Sequence, residues 1–478
     1  MTQLIRSARR VLPYALVLAA LGLRLHGLTF QSLWRDEVDA IRFAQAGSVT
    51  SLRQLGWNGP LYTWLLGLWL DWTGTSEFAA RFSSLLAGVA LTPVVYRLGA
   101  ALSSRRTGLA AAALAAMSAY LTWYSQELKM YSLLALLGAA STTLLLRALQ
   151  DGGRKRWSGY VLLTATLPYV HVLGVLLIPA HALAYLLAWP RSRPKLRPFA
   201  LSLAVLVIPY VPLAAWQAPL LLNAFQTGHP YYPLPDMLEI LARGWTLGIV
   251  ASADARLMAP FALALAGLAL RPRLDAGARF LIGWLTVPVL LVHLISLRAP
   301  VFTDRYLIAS LPALLLLAAV GVERVSRRSW GAGLLVLAVT LAVQLHGIRQ
   351  QASYSIKTDT RSAARIVQQQ WQEGDLLLLQ IPYLRYSMDY YLGEGYPILE
   401  GPFTNYGMSP EEAGRYFSVG TQAHQRVWLV LSEAEMWDHR GLTEAWLRQN
   451  AAILEEWELA RLRLLKAELG PDAPAPAD

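Results

Sequence analysis

The sequence predicts a polytopic α-helical membrane protein with a small α/β domain after about residue 350. Three observations carry this. The 478-residue chain is 55% hydrophobic and only 15% charged, with mean hydropathy +0.37, whereas soluble domains carry about 25% charged residues. Arginines and lysines gather between the apolar runs. Beyond residue 350, strand-like and helix-like runs alternate. The 17 Trp and 21 Tyr supply aromatic belts for two interfaces. A formal charge of +11 would suggest nucleic-acid binding in a soluble protein. Spread between apolar runs it orients the chain in a bilayer instead, and no nucleic-acid partner is expected. Without cysteine there is no disulfide and no thiol chemistry, and His, Asp and Glu remain as side-chain metal ligands.

The first apolar run begins at Val11 behind Arg6, Arg9 and Arg10. It resembles a signal peptide, but no small-residue cleavage site follows, so it is read as a retained first span. Spans are predicted near 11–30, 78–100, 107–124, 130–149, 157–169, 171–189, 198–217, 257–270, 279–297, 306–322 and 330–347, about eleven in all. The turn at Pro168–His171 divides two of them, because a proline disfavours helix in the residue before it. One long bent span over 157–189 is the alternative. Basic residues favour the division. Alternate loops carry Arg97, Arg105 and Arg106, then Arg147 to Arg156, then Arg191 to Arg197, then Arg271 to Arg279, then Arg324 to Arg328. This rhythm closes only if 157–189 crosses twice. It places the N-terminus in the cytoplasm and the segment after 348 outside.

The long first loop, 31–77, holds amphipathic stretches at Asp36–Ala46 and Ser51–Trp57. Leu61–Trp72 is apolar but short, and is read as re-entrant or interfacial. Pro235–Leu247 has the pattern of a helix lying on the membrane surface. After residue 350, Arg361–Gln370 has helical spacing, while Asp375–Gln380 and Arg426–Leu431 read as buried strands. Thr443–Asn450 and the charged run Ala451–Leu469 read as helices. The domains expected are a transmembrane part, 1–350, an extracytoplasmic α/β part, 351–470, and a disordered tail, 471–478.

The pair Asp36-Glu37 is the most informative local feature. Carboxylates at a bilayer boundary are costly to desolvate and ask for a chemical reason. A positioned carboxylate can take a proton from an acceptor hydroxyl. The simpler role is capping of the following helix. On the predicted topology other polar groups collect at the same outward ends: Asn58-Gly59-Pro60-Leu61-Tyr62, Tyr124-Ser125-Gln126-Glu127-Leu128-Lys129-Met130-Tyr131, Tyr169-Val170-His171 and Asp304-Arg305-Tyr306. Each has a plain structural alternative. Glu127 and Lys129 suit a solvated helix start, His171 a short cap, and Asp304 with Arg305 a local ion pair. Arg81 starts a span, where reaching to the interface is its simplest role. His181 and His293 lie on apolar faces and are read as core or lipid-boundary residues.

This set resembles the GT-C superfamily of membrane glycosyltransferases, on the branch of protein O-mannosyltransferases and lipid A aminoarabinose transferases. The resemblance covers about residues 10–350. It rests on Leu33-Trp34-Arg35-Asp36-Glu37, Asn58 to Tyr62, Arg81 to Gly88, Tyr124 to Tyr131 and Arg305 to Pro312. It implies an inverting transfer from a polyprenyl-phosphate sugar at the outer face of a bacterial cytoplasmic membrane. The acceptor would be a lipid, glycan or protein hydroxyl. Asp36 would be the base, with Glu37 orienting the acceptor or sharing its hydrogen-bond network. Lys129, Arg305, Glu127, Gln126, Asn58, Tyr131, Tyr62 and His171 would bind donor phosphate or substrate. Many relatives carry His-Pro-Pro or Lys-Pro-Pro where this chain has Asn58-Gly59-Pro60, which shifts phosphate binding to Lys129 or Arg305. No cofactor is expected. A divalent ion on Asp36, Glu37, Glu127 and His171 is conceivable but not favoured. The chain lacks a P-loop and a GxGxxG motif, as suits a donor that is not a nucleotide sugar. Rival readings are a lipid-linked-sugar flippase, a glycan ligase or polymerase using a lipid-linked oligosaccharide, and an assembly factor without chemistry. A flippase should place charges near the bilayer midplane, whereas here they cluster at span ends.

Overall fold

A computed structural model describes residues 2–47, 59–189, 191–222, 229–250, 254–270 and 274–470. The chain forms two compact units. One comprises Met1–Leu28 with Phe43–Ala352, the other Thr29–Arg42 with Ser353–Asp478. The expected stretches Ser51–Trp57 and 471–478 lie outside the described residues.

The helices up to residue 351, numbered in chain order, are α1 Thr2–Leu25, α2 Arg35–Gln45, α3 Pro60–Thr73, α4 Glu77–Leu102, α5 Arg105–Met117, α6 Ala119–Ser125, α7 Tyr131–Asp151 and α8 Arg154–Val170. They continue as α9 Leu177–Leu187, α10 Leu196–Leu222, α11 Leu234–Leu247, α12 Ala259–Ala266, α13 Ala276–Ser296, α14 Leu311–Arg328 and α15 Trp330–Gln351. Among the described residues six helices are long and apolar enough to cross a membrane: Glu77–Leu102, Tyr131–Asp151, Arg193–Ala215, Ala276–Ser296, Asp304–Arg328 and Trp330–Gln351. Three shorter apolar helices are Val11–Leu25, Val172–Leu187 and Ala255–Leu270. The chain is therefore a multi-pass membrane protein.

One span differs from expectation, and a second divides at the turn where the sequence placed it. The predicted span 107–124 is two helices, α5 and α6. Ser118 leaves the helical region (φ −62, ψ 118) and its Oγ accepts from Leu121 N, so it caps α6. The stretch 157–189 bends at His171, whose extended backbone (φ −156, ψ 131) ends α8 and opens a 3₁₀ turn at Val172–Leu176. The predicted surface helix 235–247 and the apolar stretch 61–72 are helices α11 and α3.

The core of this unit centres on α14. Within the span Asp304–Arg328, 94% of the residues in its apolar stretch are buried, and Leu311 to Ala319 face neighbours on all sides. Such all-round apolarity is what an interior helix requires. Helix α5 packs against α4 through glycines. A Cβ on Gly108 would lie 2.6 Å from the Tyr96 carbonyl oxygen, and one on Gly99 would lie 3.0 Å from Gly108 Cα. Small residues allow such close backbone approach inside a bilayer. Accordingly no residue from Ala110 to Ala116 is more than 8% exposed.

The second unit continues with α16 Thr360–Gln370, β1 Asp375–Leu379, α17 Leu384–Leu392, β2 Ile398–Glu400, α18 Pro410–Thr421, β3 Arg426–Leu431, α19 Leu442–Asn450, β4 Ala451–Leu459 and β5 Leu462–Leu469. Its five strands run in the order β2-β1-β3-β5-β4. β1 is parallel to β2 and β3, while β5 is antiparallel to β3 and β4. Leu377, Leu379, Trp428 and Val430 pack on one face with α16 and α17. Leu376, Leu378, Val427 and Leu429 pack on the other with α18 and α19.

The charged run Ala451–Leu469, expected as a helix, is instead the β4–β5 hairpin. Its Leu, Glu, Ala, Lys and Arg residues favour helix locally, but propensity is a weak prior. Pairing with β3 overrides it. β5 buries Leu462 and Leu464 on one face and Leu465 and Ala467 on the other. Its charges are met across the sheet, Arg463 by Glu456 and Lys466 by Glu455.

Candidate functional site

In the first unit, three distant segments bring aromatic and charged groups together. α6 contributes Tyr120 and Tyr124, whose rings are 4.7 Å apart. The turn before α7 contributes Gln126, Glu127 and Lys129, and α7 opens with Tyr131. The turn after α8 contributes His171. The 3₁₀ segment Asp304–Ser310 contributes Asp304, Arg305 and Tyr306. His171 and Tyr306 rings are 4.6 Å apart, and Tyr131 lies 6.2 Å from His171 and 6.4 Å from Tyr306. The Arg305 guanidinium carbon is 5.7 Å from the Tyr131 ring centre and 5.9 Å from that of Tyr306, a cation–π arrangement. Tyr120 donates its hydroxyl to Asp304 at 3.0 Å.

Backbone contacts fix this cluster. Ser84 Oγ donates to the Lys129 carbonyl at 3.1 Å, and Ser132 Oγ to that of Tyr124 at 3.0 Å. Gln126 Nε2 donates to the carbonyls of Arg24 and His26, at 2.9 and 2.7 Å. Gly59 N donates to Val170 O, which pins the start of α3, and with it buried Tyr62, to the His171 turn. Glu127 is 1% and Lys129 8% exposed. A lysine so buried in a helical bundle is costly unless it meets negative charge.

His171 lies in the turn between its two helices, outside both. Its Nδ1 accepts from Leu173 N at 3.3 Å, so the ring proton belongs on Nε2 by this hydrogen-bond assignment. Burial first, then the Arg305 and Lys129 charges, push its pKa down to about 3. The imidazole is therefore neutral at physiological pH.

Two buried arginines turn out to be structural. Arg24, which the sequence did not single out, is fully buried. It donates to the Ala115 and Ala116 carbonyls at 3.1 and 2.9 Å and to Ser125 Oγ at 3.1 Å. It thereby satisfies carbonyls left open where α5 stops at Ser118. Arg81, expected to reach the interface, is instead wholly buried and donates to Leu28 O at 3.0 Å. His181 is a core residue, as expected, bonded to Thr142 at 3.0 Å.

Asp36 and Glu37 belong to the second unit, in the first turn of α2. Acidic residues there complement the helix dipole. Asp36 is half-buried, whereas Glu37 is completely buried and ion-paired with Lys357, Nζ to Oε2 2.8 Å. Lys357 also lies 5.7 Å from the Trp34 ring. Gln31 holds the Lys357 loop, accepting from Ile356 N and Lys357 N at 2.9 and 3.1 Å. No sequence pattern marks Lys357, since its partner is 320 residues away. Asn58 lies outside the described residues. Among the described residues no three His, Asp or Glu side chains gather as metal ligands.

A family profile described as dolichyl-phosphate-mannose-protein mannosyltransferase matches residues 58–216. No curated protein matches the chain in sequence. Among solved structures, ArnT from Cupriavidus metallidurans bound to undecaprenyl phosphate aligns with TM-score 0.59 at 14% identity, covering 97% of this chain and 99% of that one. The archaeal oligosaccharyltransferase AglB from Archaeoglobus fulgidus, in complex with an inhibitory peptide and a dolichol-phosphate, aligns with TM-score 0.56 at 12% identity, covering 96% of this chain and 74% of that one. The arabinofuranosyltransferase AftD from Mycobacteria aligns with TM-score 0.52 at 15% identity, covering 96% and 40%. These likenesses give the chain the GT-C fold, as the sequence resemblance implied.

Proposed function

We propose that this GT-C-fold protein moves a sugar from a polyprenyl-phosphate donor to an acceptor hydroxyl at the outer face of a bacterial cytoplasmic membrane, with inversion. The acceptor oxygen attacks the anomeric carbon, and Asp36 takes its proton. The bond from that carbon to the phosphate oxygen breaks, and its electron pair leaves with the polyprenyl phosphate. Lys129 and Arg305 meet the charge that develops there. Arg305 suits two phosphate oxygens at once, and Lys129 acts as a point charge. Neutral His171 and the Tyr131 hydroxyl offer hydrogen bonds to phosphate or sugar, with Gln126, Tyr62 and Asn58 lining the donor's surroundings. Glu127 balances the two cations when the donor is absent. Glu37, tied to Lys357, holds the α2 turn that presents Asp36. On this reading no metal takes part.

The observation that carries the proposal is buried Lys129 acting with Arg305 on one imidazole, inside a ring of tyrosines. Lys129 and Arg305 there offer two cations to an anionic ligand, and a lipid-borne phosphate reaches them without leaving the bilayer. The test is incubation of purified protein with a panel of polyprenyl-phosphate sugars, following release of free polyprenyl phosphate. Asp36→Asn should lower release by at least about 10²-fold while donor binding persists. Unchanged release in that variant removes the base from the mechanism. Donor flipping without release, in wild type and variant alike, makes the protein a flippase.

A further inference from the structure

The sheet of the second unit reverses its winding order at β1. In a sheet ordered β2-β1-β3, the crossover from β1 leads to one side and the strand on the other side is β3. The helices α17 and α18 accordingly cover opposite faces. Open α/β sheets bind ligands at such a reversal, beyond the carboxyl ends of the strands. Those ends are Leu379 of β1 and Leu431 of β3.

The residues that follow are equipped for a ligand. Gln380 is fully buried. Its Oε1 accepts from Ser432 N at 3.0 Å, while its Nε2 has no acceptor among the described residues. An unsatisfied buried donor at this place is costly and asks for a partner. Glu433 holds a left-handed backbone (φ 53) without being glycine, strain that tends to sit at functional sites. Its carboxylate is exposed and accepts from the Tyr383 hydroxyl at 3.0 Å. Burial, then this carboxylate, keeps the Tyr383 phenol protonated well above its ordinary range. Tyr383, Phe403 and Trp437 form a ring cluster, with centroids 4.9 Å apart for Phe403 and Trp437 and 5.7 Å for Tyr383 and Trp437. Tyr406, 77% exposed, extends it from Phe403 at 6.1 Å.

The chemistry selects a ligand class. The segment after β1 is Ile381-Pro382-Tyr383, with no glycine loop to cradle a phosphate. The Glu433 carboxylate repels anions. Aromatic faces, an amide donor and a carboxylate acceptor suit a neutral polyhydroxy compound with an apolar C–H face.

We infer that Gln380, Tyr383, Phe403, Tyr406, Glu433 and Trp437, gathered beyond the strand ends, form a crevice that binds a neutral sugar ring. Its role as an acceptor subsite rests on the glycosyl-transfer reading above. A further contact supports that role. Arg35, next to Asp36 on α2, stacks on the Tyr383 ring at 3.8 Å, so the helix bearing the base is docked on the rim of the crevice. The acceptor is then a glycan or the sugar headgroup of a glycolipid.

The test is saturation-transfer NMR of the purified full-length protein with the methyl glycosides of glucose, galactose, mannose and N-acetylglucosamine. At least one should receive saturation from the wild type. Glu433→Gln preserves shape and Tyr406→Ala alters an exposed ring, so neither threatens folding. Each should weaken binding about tenfold. Absence of transfer to every glycoside overturns the inference, as does equal transfer in both variants. Asp36→Asn separates the two proposals. If it still binds glycoside and no longer releases polyprenyl phosphate, both stand. If it releases lipid phosphate normally, the assigned chemistry falls while glycoside binding still decides the crevice.

Discussion

Replacing Lys357 by Met tests how α2 is held. The ammonium lies 2.8 Å from Glu37 Oε2, and the two side chains are 6% and 0% exposed. At an effective dielectric constant of about 20 their attraction is about 6 kcal/mol. Desolvation of both ions offsets most of that, so the intact pair adds little net stability. Breaking it is another matter. Lys357→Met takes the ammonium away from a buried carboxylate, which costs about 3–5 kcal/mol. In a unit of this size the melting temperature should drop by roughly 10 °C. Glu37→Leu takes the carboxylate away from the buried lysine and should cost a similar amount. The double variant Glu37→Leu/Lys357→Met replaces the pair with apolar side chains and should recover most of the loss. Thermal denaturation of the four proteins in detergent, with hydrogen exchange read over residues 35–45, gives the coupling. It should exceed about 2 kcal/mol. Additive single losses, or a drop below about 1 kcal/mol for Lys357→Met, would refute the buried pair. The same set bears on mechanism. If Glu37 only positions α2, the double variant keeps far more transfer than Asp36→Asn.

Further tests address the first unit. Arg305→Lys keeps the charge but loses the planar fork, and kcat for transfer should fall about 10²-fold with protein yield unchanged; full activity would show that Arg305 does not grip phosphate. His171→Asn retains an acceptor for Leu173 N, whereas His171→Ala should lose about 1 kcal/mol of stability in thermal unfolding, and equal midpoints would argue against the cap. Because the folded pKa of His171 is depressed to about 3, below the free value of about 6.5, the unfolded chain binds the proton first as pH falls. Stability is then present above about pH 6.5 and declines toward pH 3, by about 1.4 kcal/mol per unit; His171→Asn should flatten that slope in melting curves taken from pH 7 to pH 4. Gly59→Ala would place a Cβ 2.0 Å from the Tyr169 carbonyl oxygen, backbone against backbone. Size-exclusion profiles should show loss of the monodisperse protein, and a normal profile would place Gly59 elsewhere.

Much of the architecture was legible in the chain because the bilayer imposes it. Lipid demands long apolar helices, so the apolar segments and helix α11 could be read directly, and the turn at Pro168–His171 was favoured over one long bent span. Strands β1 and β3 were equally plain, since short continuous apolar runs bounded by polar residues suit a strand covered on both faces. The break at Ser118 was missed because a single capping serine is quiet inside an alanine-rich run. The hairpin at 451–469 was missed because its residues prefer helix in isolation and only the open edge of β3 makes them strand.

The same division holds for the candidate site. The linear chain by itself determined which residues carry charge at helix ends, and so nominated Asp36, Glu127, Lys129, His171 and Arg305. Only tertiary structure decided their circumstances: that Glu37 is neutralised by Lys357, that Arg24 and Arg81 serve backbone carbonyls, and that Tyr131, Tyr306 and His171 form one cluster. Charge and hydropathy are local properties, recorded residue by residue. Desolvation and partner choice are not, because they depend on which distant segments the fold places alongside.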